Sequence, residues 1–332
     1  MTENVPLHAG RVIMSSHGMH EMADGVVALL KSRGLTMIQQ KVECQVFANG
    51  ELKPTIPDTV RGEHVFLLDS LQLPDPNVAL MRVLLTCDAL KRASVNGITL
   101  VLPFMPYLRQ DRKDCPRVPI SGKLIANLLQ INGQVERIIT FDMHVPQIQG
   151  FFEIPVDDLM GLTVLVDHCR SVTKTVTDVT VVAADMGGTK RAHKFAQKLG
   201  NGVPVAIIDK RRDDDGNANV FNLVGSVVKR DCIICDDMVD GGSTALTAME
   251  ALKNAGARSV QLYVTHAIFS AGAETRFAKY SARVVATNTI PRQADFVERH
   301  RSWLTYVPVD QLLSRAIYEA STVGGSISKL SS

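Results

Sequence analysis

Residues 231–256 read DCIICDDMVDGGSTALTAMEALKNAG: an apolar run from Cys232 to Cys235, two adjacent carboxylates, a glycine-rich loop and an amphipathic segment. The run has the all-apolar character of a parallel strand buried on both faces. After the loop, Leu246, Met249 and Leu252 recur at helical spacing, predicting a helix capped by Ser243 or Thr244, with Gly256 just past its C-cap. Loop amides and the positive helix end would converge on one spot and hold an anion without needing a basic side chain. Gly241 and Gly242 let the backbone come close, so Asp240, Gly241, Gly242, Ser243 and Thr244 form a candidate phosphate cradle. The carboxylates Asp236, Asp237 and Asp240 repel a phosphate directly. Beside one, they suit sugar hydroxyls, from which they accept hydrogen bonds, or Mg²⁺. The implied ligand is a sugar phosphate.

At 332 residues the chain has the length of two domains. Its hydrophobic fraction of 45% and charged fraction of 21% are those of an ordinary globular protein. A net charge of +2 and 5% aromatic residues supply neither the basic face nor the stacking platform of a nucleic-acid binder. With no apolar stretch near membrane-helix length and no signal-peptide pattern at the start, the expected location is the cytoplasm, away from membranes. The six cysteines are scattered, as expected for reduced thiols, and Cys232 and Cys235 within one strand would point to opposite faces.

A weak duplication accompanies this. ALKRASVNGITLV from Ala89 returns as ALKNAGARSVQLYV from Ala251, and VRGEHVFLLDS from Val60 as VVKRDCIICDD from Val227. Two similar α/β domains, over residues 10–160 and 161–331, are the natural reading. Only the second carries Asp-Asp at the end of its strand. Asp69-Ser70 in the first leads to no phosphate loop, which marks that half as reassigned.

Other apolar runs also end in ionisable groups. Residues 98–104 lead to Arg109, Gln110 and Asp114, and residues 137–142 to His144. Residues 179–185 end in Asp185 before Gly187 and Gly188, and residues 203–209 before Lys210, Arg211 and Arg212. Ligands of open parallel sheets bind beyond the carboxyl ends of the strands, so this repetition points to a polar active site there. Arginine forks and a lysine point charge suit phosphate oxygens, which makes phosphoryl-type transfer the chemistry these groups could support, with Arg109, Lys210 and Arg212 as candidates. Neither GxxxxGK[ST] nor a GxGxxG after a strand occurs.

Taken together, FANGE (47–51), PYLRQDRKD (106–114), DMHVPQIQGFFEIPVDDL (142–159), VAADMGGTKRA (182–192), AIIDKRR (206–212) and DDMVDGGST (236–244) resemble the ribose-phosphate pyrophosphokinases. The resemblance implies two domains of phosphoribosyltransferase type, each a mainly parallel sheet flanked by helices. It also implies Mg²⁺-dependent transfer of pyrophosphate from ATP to ribose 5-phosphate. By matching motif, Arg109, Gln110 and Asp114 would contact ATP, with Phe47, Asn49 and Glu51 reaching the adenine site of a neighbouring subunit. His144 and Asp185 would serve the metal, and Lys210 and Arg212 would stabilise the transferring group. Asp185, Asp236, Asp237 and residues 240–244 would hold ribose 5-phosphate. The implied assembly is a homo-oligomer built from dimers, with a hexamer as the expected size. Arg61, Arg117, Gln149, Ser326 and Ser328 resemble a regulatory phosphate site, where Asp158 in place of the usual Asn is expected to weaken ADP inhibition. Ser243 stands where the family usually has Gly, and would strain the loop if its φ were positive. A phosphoribosyltransferase, and a non-catalytic homologue that binds synthetase subunits, are the other readings.

Overall fold

The structure, a computed structural model, describes residues 11–16, 18–131, 133–173, 175–211 and 220–330. The chain packs as two units. The first comprises residues 1–160, 289–291 and 309–332, the second residues 161–288 and 292–308.

The first unit opens with β1 (Arg11–Ser15), α1 (His20–Ser32), β2 (Ile38–Lys41), β3 (Glu43–Val46) and β4 (Leu52–Thr55). It continues with β5 (His64–Leu68), α2 (Pro76–Arg92), β6 (Gly97–Leu102), α3 (Ser121–Gln130), β7 (Val135–Phe141) and β8 (Val156–Leu159). Six strands form a parallel sheet in the order β2-β1-β5-β6-β7-β8, while β3 and β4 make a separate antiparallel hairpin. Every residue of β1, β5 and β6 is buried, as expected of mainly apolar strands covered on both faces. Asp75 caps α2 by accepting from the amides of Asn77 and Val78 at 2.9 and 3.1 Å, with Pro76 in the first turn.

The second unit runs through α4 (Gly161–Val172), β9 (Val179–Ala183), α5 (Thr189–Leu199), β10 (Val205–Arg211), β11 (Val220–Val224) and β12 (Asp231–Val239). After these come α6 (Ser243–Asn254), β13 (Ser259–Ala267), α7 (Ala273–Tyr280), β14 (Arg283–Thr287), α8 (Ala294–His300) and β15 (Leu304–Val307). Its seven strands lie in the order β11-β10-β9-β12-β13-β14-β15, parallel except for the antiparallel β10–β11 pair. The duplication seen in the sequence is thus topological: β5 and β6 hold the same places in the first sheet as β12 and β13 in the second. In each sheet the strand order reverses once, between β1 and β5 and between β9 and β12, and such a switch point is where open α/β sheets bind ligands.

The last helix, α9 (Asp310–Ala320), belongs to the first unit, so the stretch 309–330 departs from the expected 161–331 domain. Its apolar stripe of Leu312, Leu313, Ala316 and Ile317 is buried, and it packs on α1. Arg11 adds a hydrogen bond from Nη2 to the Ser321 carbonyl at 2.8 Å. Among the described residues, no helix is long and apolar enough to cross a membrane.

Candidate active site

The quoted stretch folds around one glycine. β12 is longer than its apolar run, extending through Asp236 and Asp237 to Val239, so both carboxylates stand on the strand itself. The N-cap of α6 is Gly242, with no side-chain cap, where Ser243 or Thr244 had been expected. Gly242 has φ +79°, and a Cβ there would lie 2.5 Å from Cε2 of Phe277. That ring is fully buried, stacked on Trp303 with 5.8 Å between centroids, and cannot yield cheaply. The left-handed residue is therefore a glycine, and Ser243, already helical, carries no strain. Ser243 and Thr244 are exposed in the first turn of α6, where a helix leaves its first amides without intrahelical partners. Gly256 sits just past the Ala255 C-cap with φ +88°, and its amide donates to the Lys253 carbonyl at 3.0 Å.

Two side chains brace the loop from neighbouring elements. Ser270 donates its hydroxyl to the Asp240 carboxylate, and Arg276 of α7 donates to the Gly241 carbonyl. Neither was singled out from the sequence. Both lie about thirty positions further along the chain, and no local pattern ties them to the loop.

Asp236 and Asp237 are adjacent, and Asp237 is 7% exposed. Burial first, and then the neighbouring Asp237 charge, push the Asp236 carboxyl up to about 7. Arg191 of α5 acts in the opposite direction, favouring the charged form. It lies within the quoted MGGTKRA motif without having been chosen as a site residue. A buried carboxylate pair that resists full ionisation is well disposed to a divalent cation or to hydroxyl donors, both of which relieve its charge. The pair also ties stability to pH. A carboxyl with a raised native pKa adds stability that is present below about 4 and lost as the pH rises through about 7. Asp236→Asn should therefore be more stable than the parent at pH 8, by up to about 4 kcal/mol, and lose this advantage near pH 4. Calorimetric scans at both pH values check this, and a difference independent of pH would overturn it.

The neighbouring strands deliver their groups to the same edge. Carrying the register Ile234↔Val182 forward brings Asp237 level with Asp185, just past β9. Asp185 is exposed, and its carboxylate accepts the Gly188 amide at 2.9 Å, turning the chain into α5. Carrying Ile207↔Ala183 forward brings Asp209 level with Asp185 and Lys210 one residue further. β10 runs past the apolar stretch to Arg211, with Lys210 paired to Phe221 of β11. Arg212 lies outside the described residues.

In the first unit, the equivalent of the Asp236–Asp237 position is filled from within. Asp69, 1% exposed, receives a two-pronged ion pair from Arg82 of α2, with Nε–Oδ2 at 3.0 Å and Nη2–Oδ1 at 2.6 Å. The same guanidinium donates to the Leu73 carbonyl at 2.9 Å and the Ser70 carbonyl at 3.3 Å. In this half a side-chain cation thus neutralises the strand-end carboxylate.

The other first-unit candidates sit on loops and turns. Arg109, Gln110 and Asp114 are exposed beyond β6, and Ser121 at the start of α3 donates to the Gln110 side chain. His144 is exposed beyond β7, and the amide of the preceding Met143 donates to Asp158 of β8 at 3.0 Å. The Asp158 carboxylate thus helps shape the His144 turn. Phe47, Asn49 and Glu51 form the exposed tip of the β3–β4 hairpin, closed by Asn49 accepting the Glu51 amide at 3.2 Å. Ser326 and Ser328 come together at 2.8 Å between hydroxyls, and Glu319 accepts the Ser326 amide at 2.8 Å. Among the described residues no hydrogen bond or ion pair joins these serines to Arg61, Arg117 or Gln149, which are exposed. His144 belongs to the first unit and Asp185 to the second. Among the described residues no group of three or more His, Cys, Asp or Glu side chains is placed to hold a metal ion.

Comparison with known proteins bears on the whole chain. Residues 11–133 match the family model of the N-terminal domain of ribose phosphate pyrophosphokinase, and residues 169–299 that of the phosphoribosyl transferase domain. A ribose-phosphate pyrophosphokinase of Ralstonia nicotianae is 41% identical over 288 residues, 86% of this chain and 88% of the relative. One from Hyphomonas neptunium is 39% identical over 319 residues, 96% and 98% of the two chains. The crystal structure of phosphoribosylpyrophosphate synthetase from Mycobacterium smegmatis superposes with a TM-score of 0.82 at 36% identity, covering 94% of this chain and 100% of that one. With both halves matched and the relatives spanned almost end to end, the chain belongs to the ribose-phosphate pyrophosphokinase family.

Proposed function

We propose that this enzyme transfers the β,γ-pyrophosphoryl group of ATP to the C1 hydroxyl of ribose 5-phosphate, giving 5-phosphoribosyl 1-pyrophosphate and AMP. The observation that carries the reading is the β12–α6 segment. An amide cradle beside a carboxylate pair, at the switch point of a parallel sheet, suits a phosphate and the hydroxyls of the sugar that bears it. The 5-phosphate takes the amides and hydroxyls of residues 240–244, and Asp236 and Asp237 accept from the ribose hydroxyls. Arg276 and Ser270 hold the loop in shape. Lys210 and Arg212 carry the charge that builds on the transferring group, and Arg109, Gln110 and Asp114 contact the nucleotide. Mg²⁺ suits this donor set, since it is commonly held by one or two carboxylates together with substrate phosphates. Bound there, it would neutralise polyphosphate charge; by family resemblance Asp185 and His144 would be its further partners.

The exposed Phe47 at a hairpin tip supports the reading that the adenine site is completed by a neighbouring subunit in a homo-oligomer, and the family supports a cytoplasmic setting. Arg61, Arg117, Gln149, Ser326 and Ser328 are proposed to hold a regulatory phosphate. The non-catalytic reading is disfavoured because Lys210, Arg212, His144 and Asp185 are all retained.

One assay tests the activity and its control. AMP formation from ATP and ribose 5-phosphate should require Mg²⁺, and chelator-resistant turnover or release of ADP would refute the assignment. Titrated against ADP, Asp158→Asn should be inhibited more strongly than the parent, because a carboxylate near a bound anion opposes it by about 1 kcal/mol. Coincident curves would mean that Asp158 acts only on the Met143 turn.

A further inference from the structure

At the opposite edge of the first sheet, where the parallel strands begin, there is a cavity of about 190 Å³ lined by Arg11, His64, Thr99, Glu136, Arg137 and Ser321. Arg11 and His64 are the first residues of β1 and β5 and lie side by side in register. Thr99 of β6 pairs with Arg137 of β7 in the same way. These polar side chains therefore converge because four adjacent strands start at one level.

Among the described residues the charge of Arg11 is not met by a carboxylate, although Glu136 also lines this cavity. Arg11 is 7% exposed, its Nε is buried without a hydrogen-bond partner, and among the described residues it has no carboxylate partner. Its one bond runs from Nη2 to the carbonyl of Ser321, the C-cap of α9. A helix end offers roughly half a negative charge, against the full positive charge of an arginine. Arg137 is already engaged by Asp157 at 2.5 Å. Glu136, with its side chain 55% exposed, stands 3.8 Å from His64 Nδ1 and folds over Gly97 at the start of β6. His64 Nε2 and the Thr99 hydroxyl are 2.9 Å apart and add hydrogen-bonding capacity to the wall.

We propose that this cavity binds a small anion bearing a phosphate or carboxylate group, with the Arg11 guanidinium as its chief contact. A guanidinium whose charge is met by a single carbonyl suits the oxygens of either group. This assignment does not rest on the proposed pyrophosphoryl transfer. The cavity is framed by the starts of the first sheet's strands, whereas the phosphate cradle follows β12 in the second.

Hydrogen exchange, followed by mass spectrometry on the full chain, separates the two places. Inorganic phosphate at ten times its dissociation constant should slow exchange about tenfold in peptides covering residues 11–16 and 64–68. Binding at the cradle would be read independently in peptides covering residues 236–246. Arg11→Gln should abolish the first effect and leave the second. Arg11→Lys, which keeps the charge without the fork, should reduce the first effect and carries the test if Arg11→Gln fails to fold. Acetate in place of phosphate reports whether the site takes carboxylates as well. No slowing at residues 11–16 with either ion, or full slowing in either variant, would overturn the proposal.

Discussion

Arg82→Met should lower the stability of the first unit by about 3–5 kcal/mol. The reason lies in what is left behind. Asp69 is 1% exposed and Arg82 3%, and the guanidinium supplies two bonds to the carboxylate and two to nearby carbonyls. Methionine fills much of the same volume but leaves a buried carboxylate facing two carbonyls that have lost their donor. Asp69→Leu combined with Arg82→Met removes both charges, so it should cost less than Arg82→Met alone, as replacement of a whole buried pair commonly does. Urea denaturation of the two variants is the measurement. A single variant within 1 kcal/mol of the parent, or a double variant worse than the single, would show that the pair does not hold this half together.

That pair also shows how far the sequence could be read. Asp69-Ser70 and Asp236-Asp237 were legible as duplicate strand ends, because apolar runs and their offsets survive in the one-dimensional pattern. The partner of Asp69 was not, since Arg82 looks like any helix arginine until its direction is known. The same distinction recurs in the cradle. The strand, loop and helix were read from periodicity, yet Ser243 and Thr244, the residue types that usually cap, yield to Gly242 because the Phe277 ring leaves no room for a Cβ. Arg276, Ser270 and Arg191 were missed because tertiary packing, not spacing, brings them to the loop and the carboxylates. The tail escaped as well: its helical stripe was present, but only packing against α1 assigns it to the first unit.

Lys210→Ala should reduce kcat by about 100-fold or more while leaving the KM for ribose 5-phosphate little changed. The argument rests on the level of the strands. Along β10, the register with β9 takes Lys210 past Asp185, at the edge where β12 presents Asp236 and Asp237. The backbone at Lys210 is held by pairing that runs on through Arg211, so the attachment point of its charge is set by the sheet. Such a charge acts on what develops in the transition state without having to reorganise then. Asp237 has the contrasting part. If it accepts from the ribose hydroxyls, it binds ground state and transition state alike, so Asp237→Ala should raise the KM for ribose 5-phosphate more than it lowers kcat. Steady-state kinetics on both variants, with saturating Mg²⁺ and ATP, separate the two roles. Equal, modest effects on kcat and KM in both would mean that neither residue does what its position on the sheet implies. A Lys210→Arg variant that recovers most of kcat would reduce the requirement to positive charge alone, whereas no recovery would indicate that the compact ammonium is needed.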